Sequence, residues 1–255
     1  MRKQRKHLRP DEAERSGFLT RTQLKARKLM PGASTFPAGS VWQGYRSYPV
    51  YRPEDCIPWK PTPGPSQRRR MDCSAQARTL LEEGCIIVDT ETTGLGDRDE
   101  IIEIAAIDES GATLLETTLC PVTTISEEAS EVHGLTVTDV AESPVWPEIH
   151  AKVEALFSEG TIVAYNAPFD LRLLTQTAQI HGEAFSAPVR GICAMRLFSR
   201  WMGSESASGG FRWVSLDEAA AYCGYTPDRA HRALSDCRSV LAVLQYLAAR
   251  KHGRL

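Results

Sequence analysis

Asp89 and Glu91 stand two residues apart in the segment Val88-Asp89-Thr90-Glu91-Thr92-Thr93-Gly94, directly after the apolar run Cys85-Ile86-Ile87. In an extended strand, residues i and i+2 project from the same face. The spacing therefore puts two acids side by side at the end of a segment that reads as buried. Carboxylates held that close resist joint ionisation, and a bound cation relieves the conflict. Oxygen ligands suit a hard ion such as Mg²⁺ or Mn²⁺ better than zinc. Taken alone, Asp-x-Glu equally describes a pair of exposed turn acids.

Two further segments carry residues of the same kind. In Ala164-Tyr165-Asn166-Ala167-Pro168-Phe169-Asp170-Leu171 a strand gives way to a helix. Pro168 suits the first helical turn and puts Asp170 near the helix N-terminus, where an acid is favourable through the dipole alone. Asn166 fits a capping position. In Ala230-His231-Arg232-Ala233-Leu234-Ser235-Asp236-Cys237, five residues on a continuous helix would turn His231 and Asp236 apart by about 140°. His231 is therefore expected in the loop that follows Pro227, with Asp236 in the first or second turn of the last helix.

The elements that must position these residues can be read from periodicity. Residues 72–83 suggest a short helix, 85–88 a buried strand, and 101–107 and 113–119 two more strands joined by short turns, an antiparallel meander. Helical patterns then alternate with a strand: a helix near 149–157, a strand at 161–165 and a helix at about 169–180. Ser215-Leu216-Asp217-Glu218 matches a capping box for a helix running to Tyr222. Apolar residues at 233, 234, 237, 240, 241, 244 and 247 mark a final amphipathic helix. An α/β fold with a mixed sheet flanked by helices follows.

Residues 1–70 read differently from residues 71–255, and two regions are expected. The first holds 16 Lys+Arg against 5 Asp+Glu (net +11), the second 14 against 27 (net −13). Residues 1–30 look helical and charged. The stretch to Arg70 contains eight prolines, which predicts little regular secondary structure, yet it also holds Phe36, Trp42, Tyr45, Tyr48, Tyr51 and Trp59. So many aromatics predict that part of it packs against something. Pro61-Thr62-Pro63-Gly64-Pro65-Ser66-Gln67-Arg68-Arg69-Arg70 reads as a hinge. The seven cysteines never form Cys-x-x-Cys, so neither a disulfide framework nor a zinc ribbon is indicated. No run of eighteen apolar residues and no signal-like segment is present, which predicts a cytoplasmic protein.

Asp-x-Glu, Asn-x-x-Phe-Asp and His-x-x-x-x-Asp, in this order, resemble the DEDDh (DnaQ-like) exonuclease superfamily, which includes the epsilon proofreading subunit of bacterial DNA polymerase III. The resemblance covers about residues 85–247, and no catalytic position of the pattern is missing. The segments Ile192-Cys193-Ala194-Met195-Arg196-Leu197 and His133-Gly134-Leu135-Thr136 are also similar to exonuclease X. The resemblance implies a ribonuclease H-like fold and a 3′–5′ exonuclease, acting on DNA by preference. It implies that Asp89, Glu91, Asp170 and Asp236 hold two Mg²⁺ or Mn²⁺ ions, with His231 as general base. Thr92, Thr93, Asn166 and His133 are expected near the terminal nucleotide. Alternatives are an exoribonuclease, or a non-catalytic nucleic-acid-binding or polymerase-associated module; any tether to a replication or polymerase partner is expected in residues 1–70.

Overall fold

A computed structural model describes residues 7–59 and 63–250. The chain divides into two compact units, one within residues 1–63 and the other within 64–253.

The first unit contains β1 (His7–Leu8), α1 (Pro10–Arg15), β2 (Leu19–Thr20), α2 (Arg21–Ala26), β3 (Leu29–Met30), β4 (Gly39–Gln43), β5 (Arg46–Tyr51), a 3₁₀ turn (Pro53–Asp55) and β6 (Ile57–Pro58). Strands β1, β4, β5 and β2 form a sheet in that order, and β3 pairs with β6. The expectation of little regular structure in the proline-rich stretch is thus corrected. Its prolines sit where a missing N–H does little harm. Pro53 opens the 3₁₀ turn, Pro49 precedes the two β5 residues that pair with β2, and Pro58 lies in a two-stranded pair. Of the helical character expected for the first thirty residues, the described part keeps two six-residue helices. The unit has its own small apolar clusters: Leu8, Ala13, Val41 and Val50 in one, Leu19, Leu24 and Tyr51 in the other.

The second unit runs α3 (Pro65–Glu83), β7 (Cys85–Thr92), β8 (Ile101–Asp108), β9 (Thr113–Thr118), α4 (Glu127–His133), α5 (Val137–Val140), α6 (Trp146–Glu159), β10 (Thr161–Ala164), α7 (Ala167–Ile180), β11 (Ile192–Cys193), α8 (Ala194–Met202), α9 (Leu216–Tyr222) and α10 (Ala233–Ala249). The stretch read as a hinge is helical from Pro65 onward, because Pro65 at the first helical position suits the fixed proline φ and starts α3. Residues 61 and 62 of that region lie outside the described residues.

The sheet order is β11-β10-β7-β8-β9. The meander β7-β8-β9 is antiparallel, and β10 and β11 add in parallel on the other side of β7. Alternation along β7 divides the core. Ile87 packs with Ala105, Ile107 and the buried residues of α3, α8 and α10, whereas Ile86 and Val88 pack with those of α6 and α7. A central strand covered on both faces explains the unbroken apolar run at its start. Burying each of these branched side chains contributes about 1.5–3 kcal/mol, which anchors the strand where its polar half emerges. No helix among the described residues is long and apolar enough to cross a membrane.

Candidate active site

β7 does not end at Val88 but continues to Thr92, so Asp89 and Glu91 lie within the strand on one face. Their cross-strand neighbours on β8 are Ala105 and Glu103, and the register shifts immediately after Glu91. Such an irregularity re-aims the chain and ends regular pairing next to the acids. α10 supplies Asp236 from its first turn. A carboxylate oxygen from each of Asp89, Glu91 and Asp236 can be chosen so that all three lie within 4.8 Å of one another. Asp170, buried in the first turn of α7, stands outside that trio but is the charged group that most raises the pKa of Asp89. It accepts a 3.0 Å hydrogen bond from the Thr90 hydroxyl.

Charge and burial set the chemistry of this cluster. Burial first, then Asp170, Asp236 and Glu91, hold the Asp89 carboxyl well above the usual range. Burial, followed by Asp236 and Glu103, pushes Glu91 up to about 8, with Arg232 opposing. Asp170 rises to about 7 through burial, against the Thr90 hydrogen bond, and Asp236 to about 6 through burial, against His231. Acids this reluctant to ionise together, all offering hard oxygen, fit a divalent cation that would supply the missing positive charge.

His231 lies in the exposed loop before α10, in left-handed backbone at φ 56°. For a non-glycine residue this conformation is uncommon and is maintained only where its surroundings dictate it. The His231 backbone N–H also helps to lower the pKa of Asp236. The constraint on the loop was not foreseen from the sequence. Arg232 Nε donates to both oxygens of Glu103 at 3.0 Å, Arg232 Nη2 approaches Oε1 at 2.6 Å, and the Ala233 N–H donates to Oε2 at 3.1 Å. Glu103 is 4% exposed. This forked pair ties the His231 loop and the start of α10 to the strand opposite Glu91. Its one sequence signal is a lone acid inside the apolar run Ile101-Ile102-Glu103-Ile104, since a fully buried carboxylate is rare unless paired.

The residues expected near a terminal nucleotide separate into two kinds. Thr92, Thr93 and His133 are buried, and their polar atoms are committed internally. The Thr92 hydroxyl donates to the Gly94 carbonyl and the Thr93 hydroxyl to Asp99. Nδ1 of His133 accepts the Leu135 N–H at 3.0 Å, so its Nε2–H donates to the Thr92 carbonyl at 3.2 Å. Burial lowers the pKa of this neutral ring. Asn166, by contrast, is exposed at the N-cap of α7 and makes no side-chain cap bond. The turn after β7 also carries Leu95, 79% exposed. Arg172 from α7 donates to the carbonyls of Leu95 and Gly96, and the Gly96 N–H donates to Asp99. An exposed leucine on a turn so firmly braced is a second feature that local pattern did not reveal.

Comparison with known proteins agrees with this arrangement. Residues 86–244 match the exonuclease family RNase_T. The chain is 41% identical over 181 residues to the uncharacterized exonuclease CP81 of Escherichia phage 186, covering 69% of this chain and 93% of that one. It is 32% identical over 209 residues to a DNA polymerase III subunit epsilon-like protein of Rhodobacter capsulatus, covering 71% of this chain but 29% of that one. Exodeoxyribonuclease 10 of Escherichia coli K12 is 30% identical over 164 residues, 62% of this chain and 66% of that one. Among solved structures, exonuclease I superposes with a TM-score of 0.56 at 16% identity, over 66% of this chain and 41% of that one, a likeness of fold. The mixed sheet with helices on both faces is therefore ribonuclease H-like, and with its acidic cluster and matched residues the chain belongs to the DEDDh, DnaQ-like exonuclease family.

Proposed function

We propose that this exonuclease removes nucleotides from the 3′ end of DNA by metal-dependent phosphodiester hydrolysis. The observation that carries the reading is the trio Asp89, Glu91 and Asp236, gathered within 4.8 Å, with Asp170 and the exposed His231 both acting on its charges. These four carboxylates are the residues that would hold Mg²⁺ or Mn²⁺, and a pair of such ions supplies Lewis-acid stabilisation of an in-line displacement. His231 accepts the proton of the attacking water, a task for which imidazole is the side chain best suited. Asn166 contacts the terminal nucleotide, and Leu95 offers its base an apolar surface. Thr92, Thr93 and His133 act from beneath, holding the turn that carries these contacts. The preference for DNA is supported by the relative named an exodeoxyribonuclease. A purely binding module has no physical reason to aim four acids at a polyanion.

The first unit, with the basic residues that continue into α3, is proposed to strengthen engagement of nucleic acid or of a replication partner. The epsilon-like relative favours the latter as a second reading.

The test uses purified protein with Mg²⁺ or Mn²⁺ on DNA and RNA strands labelled at either end. A 3′–5′ exonuclease releases the 3′ label at once as mononucleotide and shortens the 5′-labelled strand stepwise, and a 3′ block stops both. Internal cleavage of the blocked strand refutes exonucleolytic polarity. Binding without hydrolysis under both metals refutes catalysis, and faster turnover of RNA refutes the DNA preference.

A further inference from the structure

We infer that the β4–β5 hairpin of the first unit is a stacking surface for single-stranded nucleic acid, formed by Trp42, Tyr45 and Tyr48, with Arg46 in the chain between the two tyrosines. The inference rests on the reading of this chain as acting on nucleic acid and adds to it a contact site separate from the carboxylates.

The hairpin is built to display these side chains. Gln43 pairs with Arg46, Trp42 with Ser47 and Val41 with Tyr48, leaving Gly44-Tyr45 as a two-residue turn. Gly44 takes φ 59°, the left-handed backbone that such turns require. Val41 and Val50 hold the base of the hairpin in the unit's apolar cluster, while the tip projects rings. Tyr45 is fully exposed, Trp42 is 53% and Tyr48 39% exposed. Arg46 and Tyr48 share one strand face; Trp42 lies on the other, with the His7 ring 6.2 Å away. The hairpin thus offers π surfaces at its tip and on both sides.

The surrounding charge selects the occupant. Arg15 and Arg52 are paired with Asp11 and Asp55, whereas Arg46, Arg27 and Lys28 are exposed and form no ion pair among the described residues. Residues 1–63 carry 13 Lys+Arg against 5 Asp+Glu, while residues 64–255 carry 17 against 27. Exposed rings beside Arg46, on a unit of net positive charge, match the chemistry of a strand whose bases are unstacked: rings take the bases and cations the phosphates. A duplex hides its base faces and fits this surface less well.

The experiment measures binding of the full-length chain to fluorescent oligothymidylate by anisotropy in EDTA, where hydrolysis is absent. Trp42→Ala and Tyr45→Ala should each weaken binding about 5- to 150-fold, the range for loss of one base–aromatic stack, and Tyr45→Phe should retain it. Arg46→Ala should flatten the slope of log affinity against log salt by about 0.7, one phosphate contact on a single strand. An abasic oligonucleotide should bind wild type and the aromatic variants alike. All three substituted positions are exposed, and an unchanged melting temperature checks that the variants fold. Unchanged affinity in Trp42→Ala/Tyr45→Ala/Arg46→Ala overturns the inference and assigns the hairpin to a protein partner. An equal loss on abasic strands, or tighter binding of duplex, overturns stacking. Because no metal is present, failure here leaves the hydrolytic reading intact, and a hydrolytically inert protein with this binding pattern leaves the hairpin assignment intact.

Discussion

Replacing Arg232 by alanine isolates the pair that holds the His231 loop. The substitution leaves Glu103 buried on β8, opposite Glu91, with only the Ala233 N–H as partner. Breaking a buried ion pair by removing one member costs about 3–5 kcal/mol, because the remaining charge is stranded. The Arg232 side chain is 25% exposed, so solvent screens part of the interaction, and about 2–3 kcal/mol is the reasoned value. For a domain of this size each kcal/mol moves the melting temperature by about 2–4 °C, which predicts a fall of roughly 4–12 °C in the transition of the nuclease unit. Arg232→Ala/Glu103→Ala should recover part of the loss, since the double change removes the stranded acid. Turnover should fall in Arg232→Ala with little change in KM, because the loop that carries His231 is released while the contact proposed for Asn166 is left in place. Differential scanning calorimetry of both variants, with single-turnover kinetics on a short DNA strand, measures each term. A melting temperature within 1 °C of wild type together with unchanged turnover would refute the positioning argument.

Asp89→Ala should abolish hydrolysis while the unit stays folded, and the thermal shift produced by Mg²⁺ should shrink, because a ligand that binds only the native state stabilises in proportion to its affinity; full activity in this variant would remove Asp89 from the site. His231→Ala should lower turnover by about 10²- to 10⁴-fold and leave the Mg²⁺-induced thermal shift in place, so loss of both together would make His231 a ligand instead of a base. The raised carboxyl pKa values give apo stability a defined pH dependence. Glu91, Asp170 and Asp236 titrate in the folded state at about 8, 7 and 6, above their unfolded values near 4, so the native state binds more protons across that interval. Their contribution to stability is fully present below about pH 4 and is lost as pH rises through 6 to 8. Chemical denaturation in EDTA at pH 5.5 and 8.5 should show the decline, Mg²⁺ should reduce it, and a flat profile would contradict the assigned proximity of the acids.

The division of labour between local pattern and tertiary contact follows from how far apart the interacting residues lie. The carboxylates could be named from the chain because the period of a strand and the grammar of helix starts are local: Asp89 and Glu91 share a face by alternation, Pro168 opens α7 ahead of Asp170, and a loop must precede Asp236 if His231 is to face it. The meander, the capping box at Ser215 and the final helix were legible for the same reason. The first unit was misread because proline count was taken without position, and harmless sites for proline depend on which strand neighbours which. The forked pair of Arg232 with Glu103 joins residues 129 positions apart, and no propensity encodes such a meeting. Likewise Thr93 and His133 resemble exposed polar residues in sequence, yet folding buries them and engages their polar atoms internally. Residue types and spacing, by themselves, determined which groups could bind a cation or move a proton. Only the packing of α7 and α10 against β7 decided how close those groups stand, how burial raises their pKa values, and which charge holds the histidine loop, because desolvation and Coulomb energy depend on distance through space and not on separation along the chain.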